Sequence, residues 1–350
     1  MGKGETLLAC LCLITVGLLF FGSVPVFGNA DSSGAGKSAL KEAREDLEQK
    51  LAGMPGFAGI AHSEEEGQII VFLENGQAKG NVPDSHRGFP VRKEVTGPFK
   101  ALGTQVMQAP ASSRINQASY DRKGVVRPLV GGISLSALAG KLYIYAGTLG
   151  MVTYDNKILS NAHVIAMNPD NNAFLALGTT VIIQPGSLDG GRTSANQVGA
   201  LKKYIQIIFS KPRAPVNNYA DAAIASIDST VTGKSGSQLD ADNINFYHVS
   251  GTTLSTPGDS VRKSGRTTGV TTNTVMFTNA STWIDYGRGM KAYFVDQILV
   301  IQPFIDAGDS GSCVDKGGNF VGLAFAGSSS YAIVCKASYI ISGLNISVGP

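Results

Sequence analysis

Three short stretches carry the residue types that nucleophilic acyl transfer needs. "GDSGSCV" holds Ser310, "LSNAHVIA" holds His163 and "DAAIASID" opens on Asp221. A serine hydroxyl is a weak nucleophile until a neighbouring base takes its proton, and an imidazole serves as that base when a carboxylate fixes its tautomer. The three lie in the order His, Asp, Ser, separated by 58 and 89 residues. Taken singly, each has a plainer reading. Ser310 sits among turn residues, His163 ends an apolar run as packed core histidines do, and Asp221 follows a polar stretch. A carboxylate heading a buried strand nevertheless needs a hydrogen-bond partner.

The elements that would position these residues are strands. From Leu129 to the C-terminus, short Val-, Ile- and Thr-rich runs recur between Gly, Pro, Asn and Asp, among them "KLYIYAGTLGMVTYD", "TTVIIQPG", "AYFVDQILVIQP" and "NFVGLAFAG". The spacing predicts a closed all-β sandwich or barrel, with one short helix near His163. The 43 glycines in 350 residues suit many tight turns. A net charge of +3 without a basic stripe argues against nucleic acid as a partner.

The first part of the chain differs. Residues 1–30 read as a signal peptide, with Lys3, an apolar run from Leu7 to Phe27, and Gly28 and Ala30 fitting cleavage after Ala30. The alternative is a retained anchor over 7–27. The destination is therefore secreted or periplasmic, with membrane contact only if that segment stays. Residues 31–102 predict a small α+β module, propeptide-like or accessory. Its helix would start at a Ser38 cap and stop at Gly53, with a stripe of Ala39, Ala43, Leu47 and Leu51. Three strand-like runs follow, the last being "FPVRKEVTGPFKAL". Residues 103–128 read as a linker in which Arg114, Arg122 and Lys123 offer a protease target. Beyond the leader only Cys313 and Cys335 remain, expected as free buried thiols on strands separated by a third. His62 and His86 lack metal-ligand spacing, so neither metal nor cofactor is expected.

Together, "LSNAHVIA", "DAAIASID" and "GDSGSCV" resemble the trypsin/chymotrypsin-like serine peptidases over about residues 129–350, with "GTLG" and "KSGRTTG" most similar to bacterial members. The resemblance implies two six-stranded antiparallel β-barrels. It also implies roles: Ser310 as nucleophile, His163 as general base and acid, Asp221 as the group that orients it, and the N–H groups of Gly308 and Ser310 as the oxyanion hole. By the same resemblance Phe304 would lie at the base of the primary pocket, with Phe325 and Gly327 in its wall. A shift of one or two residues across "PFIDAG" would bring in Asp306 instead. In the digestive members, the aspartate that corresponds to Asp309 pairs with a new N-terminus. Here "RPLVGG" puts Pro128 directly after Arg127, which disfavours cutting there, so Asp309 is expected to find an internal partner. The function this implies is an exported serine endopeptidase acting on proteins or peptides. The alternative is a catalytically silent peptidase-like fold used for binding or as a scaffold.

Overall fold

The computed structural model describes residues 34–107, 119–192 and 194–350. The leader expected over residues 1–30, and Arg114 within the linker, lie outside the described residues.

Two closed barrels form the body of the molecule. The first uses β6 (Ile133–Ala137), β7 (Tyr143–Leu149), β8 (Lys157–Ser160), β9 (Val181–Ile183), β10 (Gln197–Tyr204) and β11 (Ala223–Ser226). Beyond Gly150, β7 carries on as Met151–Val152, so the antiparallel pairings run β6–β7–β8–β11–β10–β9 and return to β6. The second uses β12 (Ser260–Gly265), β13 (Gly269–Asp285), β14 (Lys291–Ile301), β15 (Cys313–Lys316), β16 (Asn319–Gly327) and β17 (Tyr331–Lys336). Its ring is β12–β13–β14–β17–β16–β15 and back to β12, again antiparallel throughout. The two-barrel, all-β architecture is thus observed. Closure removes the sheet edges that short strands would otherwise leave unpaired. Cys313 and Cys335 are free and buried, with Leu323 paired between them on the intervening strand.

The N-terminal module is welded to the second barrel rather than hung beside it. Helix α1 (Gly34–Leu51) packs on β1 (Phe57–Ser63), β2 (Gln68–Leu73) and β3 (Phe89–Val95). Strand β1 pairs with the long β13, Gly59 opposite Thr282 and Ile60 opposite Ser281, so the module's sheet continues the barrel's. The helix face buries Leu40, Ala43, Leu47 and Leu51 against Trp283 and Tyr293 of the barrel. Two expectations need correction. The helix begins before Ser38, whose hydroxyl donates to Glu42 within it, and Leu40 rather than Ala39 completes the buried stripe, because Ala39 is exposed. Leu40, Ala43 and Leu47 keep the three- and four-residue spacing of one helical face.

The run "FPVRKEVTGPFKAL" is not one strand. It breaks at Thr96-Gly97-Pro98, and its end forms β4 (Phe99–Ala101), which leaves the module and pairs with β13 and β16 of the second barrel. Residues 104–107 form β5 (Thr104–Met107), paired antiparallel with β7 of the first barrel. The boundary expected at 102/103 therefore falls between two strands, each held by a different barrel. Arg122 is not the exposed cutting point that the sequence suggests. It is 8% exposed and donates to the carbonyls of Gly132, Leu239 and Asp240, to Ser264 Oγ and to Asn243 Oδ1.

Candidate active site

The antiparallel pairing of β8 with β11 places Ser160 opposite Ala223. Two residues beyond that pair in each strand, the chain brings the short helix α2 (Ala162–Ile165) alongside Asp221. Asn161 Nδ2 donates to the Asp221 carbonyl at 2.6 Å and fixes the crossing. His163 Nδ1 lies 2.6 Å from Asp221 Oδ2, and the His163 backbone N–H donates to Oδ1 at 3.1 Å. Tyr286 OH adds a third donor at 2.9 Å. Burial, and then the adjoining carboxylate, push the Tyr286 phenol well above its ordinary range, so it stays protonated and donates. Asp221 is fully buried, and these donors meet its need for partners. With Nδ1 engaged by the carboxylate, Nε2 is the nitrogen left to carry the imidazole lone pair. Nε2 is buried and has no hydrogen-bond partner in the structure.

Ser310 comes from the opposite barrel, on the loop between β14 and β15. Gly308 (φ 96°) and Gly311 (φ 94°) bracket it in backbone conformations that residues with a Cβ rarely adopt. The first barrel clamps this loop through Thr148, whose hydroxyl donates to the Gly308 carbonyl at 2.9 Å and whose N–H donates to the Ser310 carbonyl at 2.8 Å. Beneath the serine, Asp309 is fully buried. It accepts from the N–H groups of Thr267, Thr268 and Asp306 and from Thr268 Oγ1, with Lys263 Nζ at 3.3 Å. Its partner is therefore internal. Burial holds the Lys263 ammonium below its usual range while Asp309 opposes that shift.

The structure brings His163 and Asp221 into direct contact, but it does not join Ser310 to them. Ser310 Oγ donates to the Phe325 carbonyl at 3.1 Å. That same carbonyl also accepts the Leu102 N–H, at 3.2 Å, and Gly308 N–H donates to the Leu102 carbonyl at 2.7 Å. Of the two donors expected for an oxyanion hole, Gly308 is thus engaged by a peptide carbonyl of the chain itself.

Beside Leu102 lies a cavity of about 360 Å³ that includes Gln302, Ile305, Asp306, Gly327 and Ser328 in its wall. Phe304 does not line it: it is 1% exposed and sits in the apolar cluster beneath, against which Leu102 packs. Ile305 and Asp306 take the wall instead, one and two residues further on. Phe325 contributes its carbonyl, its side chain being fully buried. Gly327 lies in the wall, paired with Lys100.

Tyr286, Lys263 and Leu102 were not singled out from the sequence. Tyr286 and Leu102 carry no local signal. Lys263 does, because strand alternation sends the adjacent Arg262 and Lys263 to opposite faces, so one must enter the barrel. His86 meets Asp46 at 2.6 Å within the module, and His62 is buried beside Asn279. Among the described residues, no group of three or more His, Cys, Asp or Glu is placed to hold a metal, and no helix is long and apolar enough to cross a membrane.

Among solved structures, the chain is similar to a Cellulomonas bogoriensis chymotrypsin at 13% identity and TM-score 0.42, covering 62% of this chain and 96% of that one. A Nocardiopsis protease gives 14%, 0.43, 63% and 98% by the same measures. A glutamic acid-specific serine protease gives 17%, 0.44, 63% and 100%. No family model and no curated protein matches the sequence.

Proposed function

We propose that this protein is an exported serine endopeptidase that hydrolyses peptide bonds through Ser310, His163 and Asp221. The observation that carries the reading is the buried His163–Asp221 pair at 2.6 Å, with an unpartnered Nε2 facing Gly103, whose neighbour Leu102 accepts the Gly308 N–H of the loop that presents Ser310. An imidazole so oriented accepts the serine proton and returns it to the leaving amine, while the carboxylate stabilises the imidazolium. Gly308 N–H, and Ser310 N–H beside it, stabilise the oxyanion, each such donor contributing about 10²–10³-fold in rate. Residues 31–102 are then a propeptide-like module. The substrates are proteins or peptides, which fits a cleft that already holds an extended chain.

A catalytically silent peptidase-like fold is the second reading, favoured by one observation: the Ser310 hydroxyl donates to Phe325 and not to His163. Labelling with a fluorophosphonate probe tests the reading, comparing wild type with Ser310→Ala and His163→Ala. The expected result is label on the wild type alone. Equal labelling of all three proteins, or none of the wild type at any stage of maturation, sinks the enzyme reading.

A further inference from the structure

We infer that the chain's own Leu102–Gly103 peptide bond is a substrate of this site, and that the site prefers leucine on the acyl side of the bond it cuts. The inference rests on the endopeptidase reading and deepens it.

Residues 99–107 thread the cleft as an extended chain. On one side, Lys100 pairs with Gly327 and Ala101 with Ala326, antiparallel, on the second barrel. On the other, Thr104 pairs with Ala146 and Met107 with Tyr143, antiparallel, on the first. Only Leu102 and Gly103 stand between these ladders, and they stand at the proposed catalytic residues. The Leu102 carbonyl accepts from Gly308 N–H, which polarises it as an oxyanion donor would. Leu102 N–H and Ser310 Oγ donate to the same oxygen, that of Phe325, so the hydroxyl and the Leu102 peptide are neighbours. Across the bond, a Cβ built on Gly103 would stand 3.7 Å from His163 Nε2, which sets the unpartnered nitrogen on the leaving-group side. No other bond among the described residues is placed in this way.

The alignment is held from both ends. Phe99, just upstream, is 1% exposed and meets Phe72 of the module edge-on at 6.1 Å; Phe72 in turn touches Phe277 and Tyr331 of the barrel. Downstream, the four paired residues of β5 fix the leaving strand. Such restraint converts a bimolecular reaction into an intramolecular one and supplies a large effective concentration.

The chemistry balances with water as the only co-reactant. Ser310 Oγ passes its proton to His163 Nε2 and bonds to the Leu102 carbonyl carbon. The Leu102–Gly103 C–N bond then breaks, and the Gly103 nitrogen takes the proton from His163. Water hydrolyses the resulting ester, leaving a carboxylate on Leu102, an amine on Gly103 and the Ser310 hydroxyl restored. The preference follows from the Leu102 side chain, which packs on the cluster of Phe304, Ile305 and Ala324, beside the cavity bounded by Ile305, Asp306 and Gly327. A carboxylate there would lose hydration and stand beside Asp306, and the one cation in that wall, Lys100, belongs to the threaded segment itself rather than to the barrel.

The test follows the full-length chain by intact mass and N-terminal sequencing. Wild type is expected to yield a fragment starting at Gly103, at a rate unchanged on dilution, and Ser310→Ala to stay whole. Leu102→Met should keep the cut, whereas Leu102→Asp should slow it by about 10²-fold or more. A free peptide spanning residues 98–107 and its Leu102→Asp version, offered to the matured protein, give the same comparison without depending on how the variant chain folds. A protein that labels with the fluorophosphonate probe but cuts elsewhere, or cuts both peptides equally, overturns this inference and leaves the endopeptidase reading standing. A wild type that neither labels nor cuts overturns both.

Discussion

The two halves of the candidate site are built in opposite ways. On the first barrel, His163 and Asp221 are held by one another, with Asn161 and Tyr286 in support, so the proposed reactive groups are also the structural ones. On the second barrel, Ser310 is positioned by its neighbour: Asp309 turns inward onto Lys263 and the Thr267–Thr268 turn and so fixes the backbone from which the serine projects. The difference teaches that two buried aspartates serve one site in different currencies. Loss of Asp221 should be read in rate. Loss of Asp309 should be read first in stability, because it strands a buried ammonium.

The largest expected effect comes from the reactive groups themselves. Ser310→Ala and His163→Ala should each lower peptide turnover by about 10⁴-fold or more, and the double variant should be no worse than either alone, since the groups act as a unit. Additive losses in a steady-state assay would break the picture of one cooperating site. Asp221→Asn should lower turnover by about 10⁴-fold, because an amide no longer holds the required tautomer. Asp309→Asn should instead cost about 3–5 kcal/mol in denaturant unfolding. If Asp221→Asn lowers the unfolding midpoint as far as Asp309→Asn does, the contrast between the halves is gone. Tyr286→Phe removes one donor to a carboxylate that keeps two others, and should reduce kcat/KM by about 10- to 100-fold, in line with the 1.5–3 kcal/mol typical of a charged hydrogen bond.

A further effect lies outside both halves and serves as their control. His62, at the joint between module and barrel, is held near pKa 4 against an ordinary 6.5, chiefly by burial and then by Arg44. Above pH 6.5 it is neutral in both states and costs nothing. Between 6.5 and about 4 the unfolded chain takes up a proton that the folded chain refuses, so stability should fall; below about 4 both are protonated and the loss levels off. Melting temperature against pH should show this slope in the uncut protein and a shallower one in His62→Gln. Equal slopes would place the acid sensitivity elsewhere.

Much of this was legible in the sequence, and the reasons are local. Strand-forming runs between turn residues define closed β architecture because alternation and turn chemistry act over a few residues. The order of "LSNAHVIA", "DAAIASID" and "GDSGSCV" marks the candidate reactive groups because each would need a particular backbone setting around it. A helical stripe can be drawn one residue off where alanines flank it, so the sequence points to Ala39 where the fold buries Leu40. Counting back from Ser310 puts Phe304 at the base of the pocket but carries no information on how the loop 302–312 folds, and the fold buries Phe304 beneath a cavity that Ile305 and Asp306 line.

What the sequence by itself determined, then, is chemistry at single positions and the class of fold that holds them. Only the tertiary structure decided which groups meet. Tyr286 reaches Asp221 from 65 residues away, Lys263 reaches Asp309 from 46, and Leu102 reaches Gly308 from 206. Contacts of that kind depend on barrel closure and on a welded N-terminal sheet, and no property of the local chain encodes them. The stretch around Leu102 shows it best. Read along the chain it is the end of a module and the start of a linker; folded, it is an extended peptide lying across the candidate active site, because a strand of each barrel pairs with one end of it.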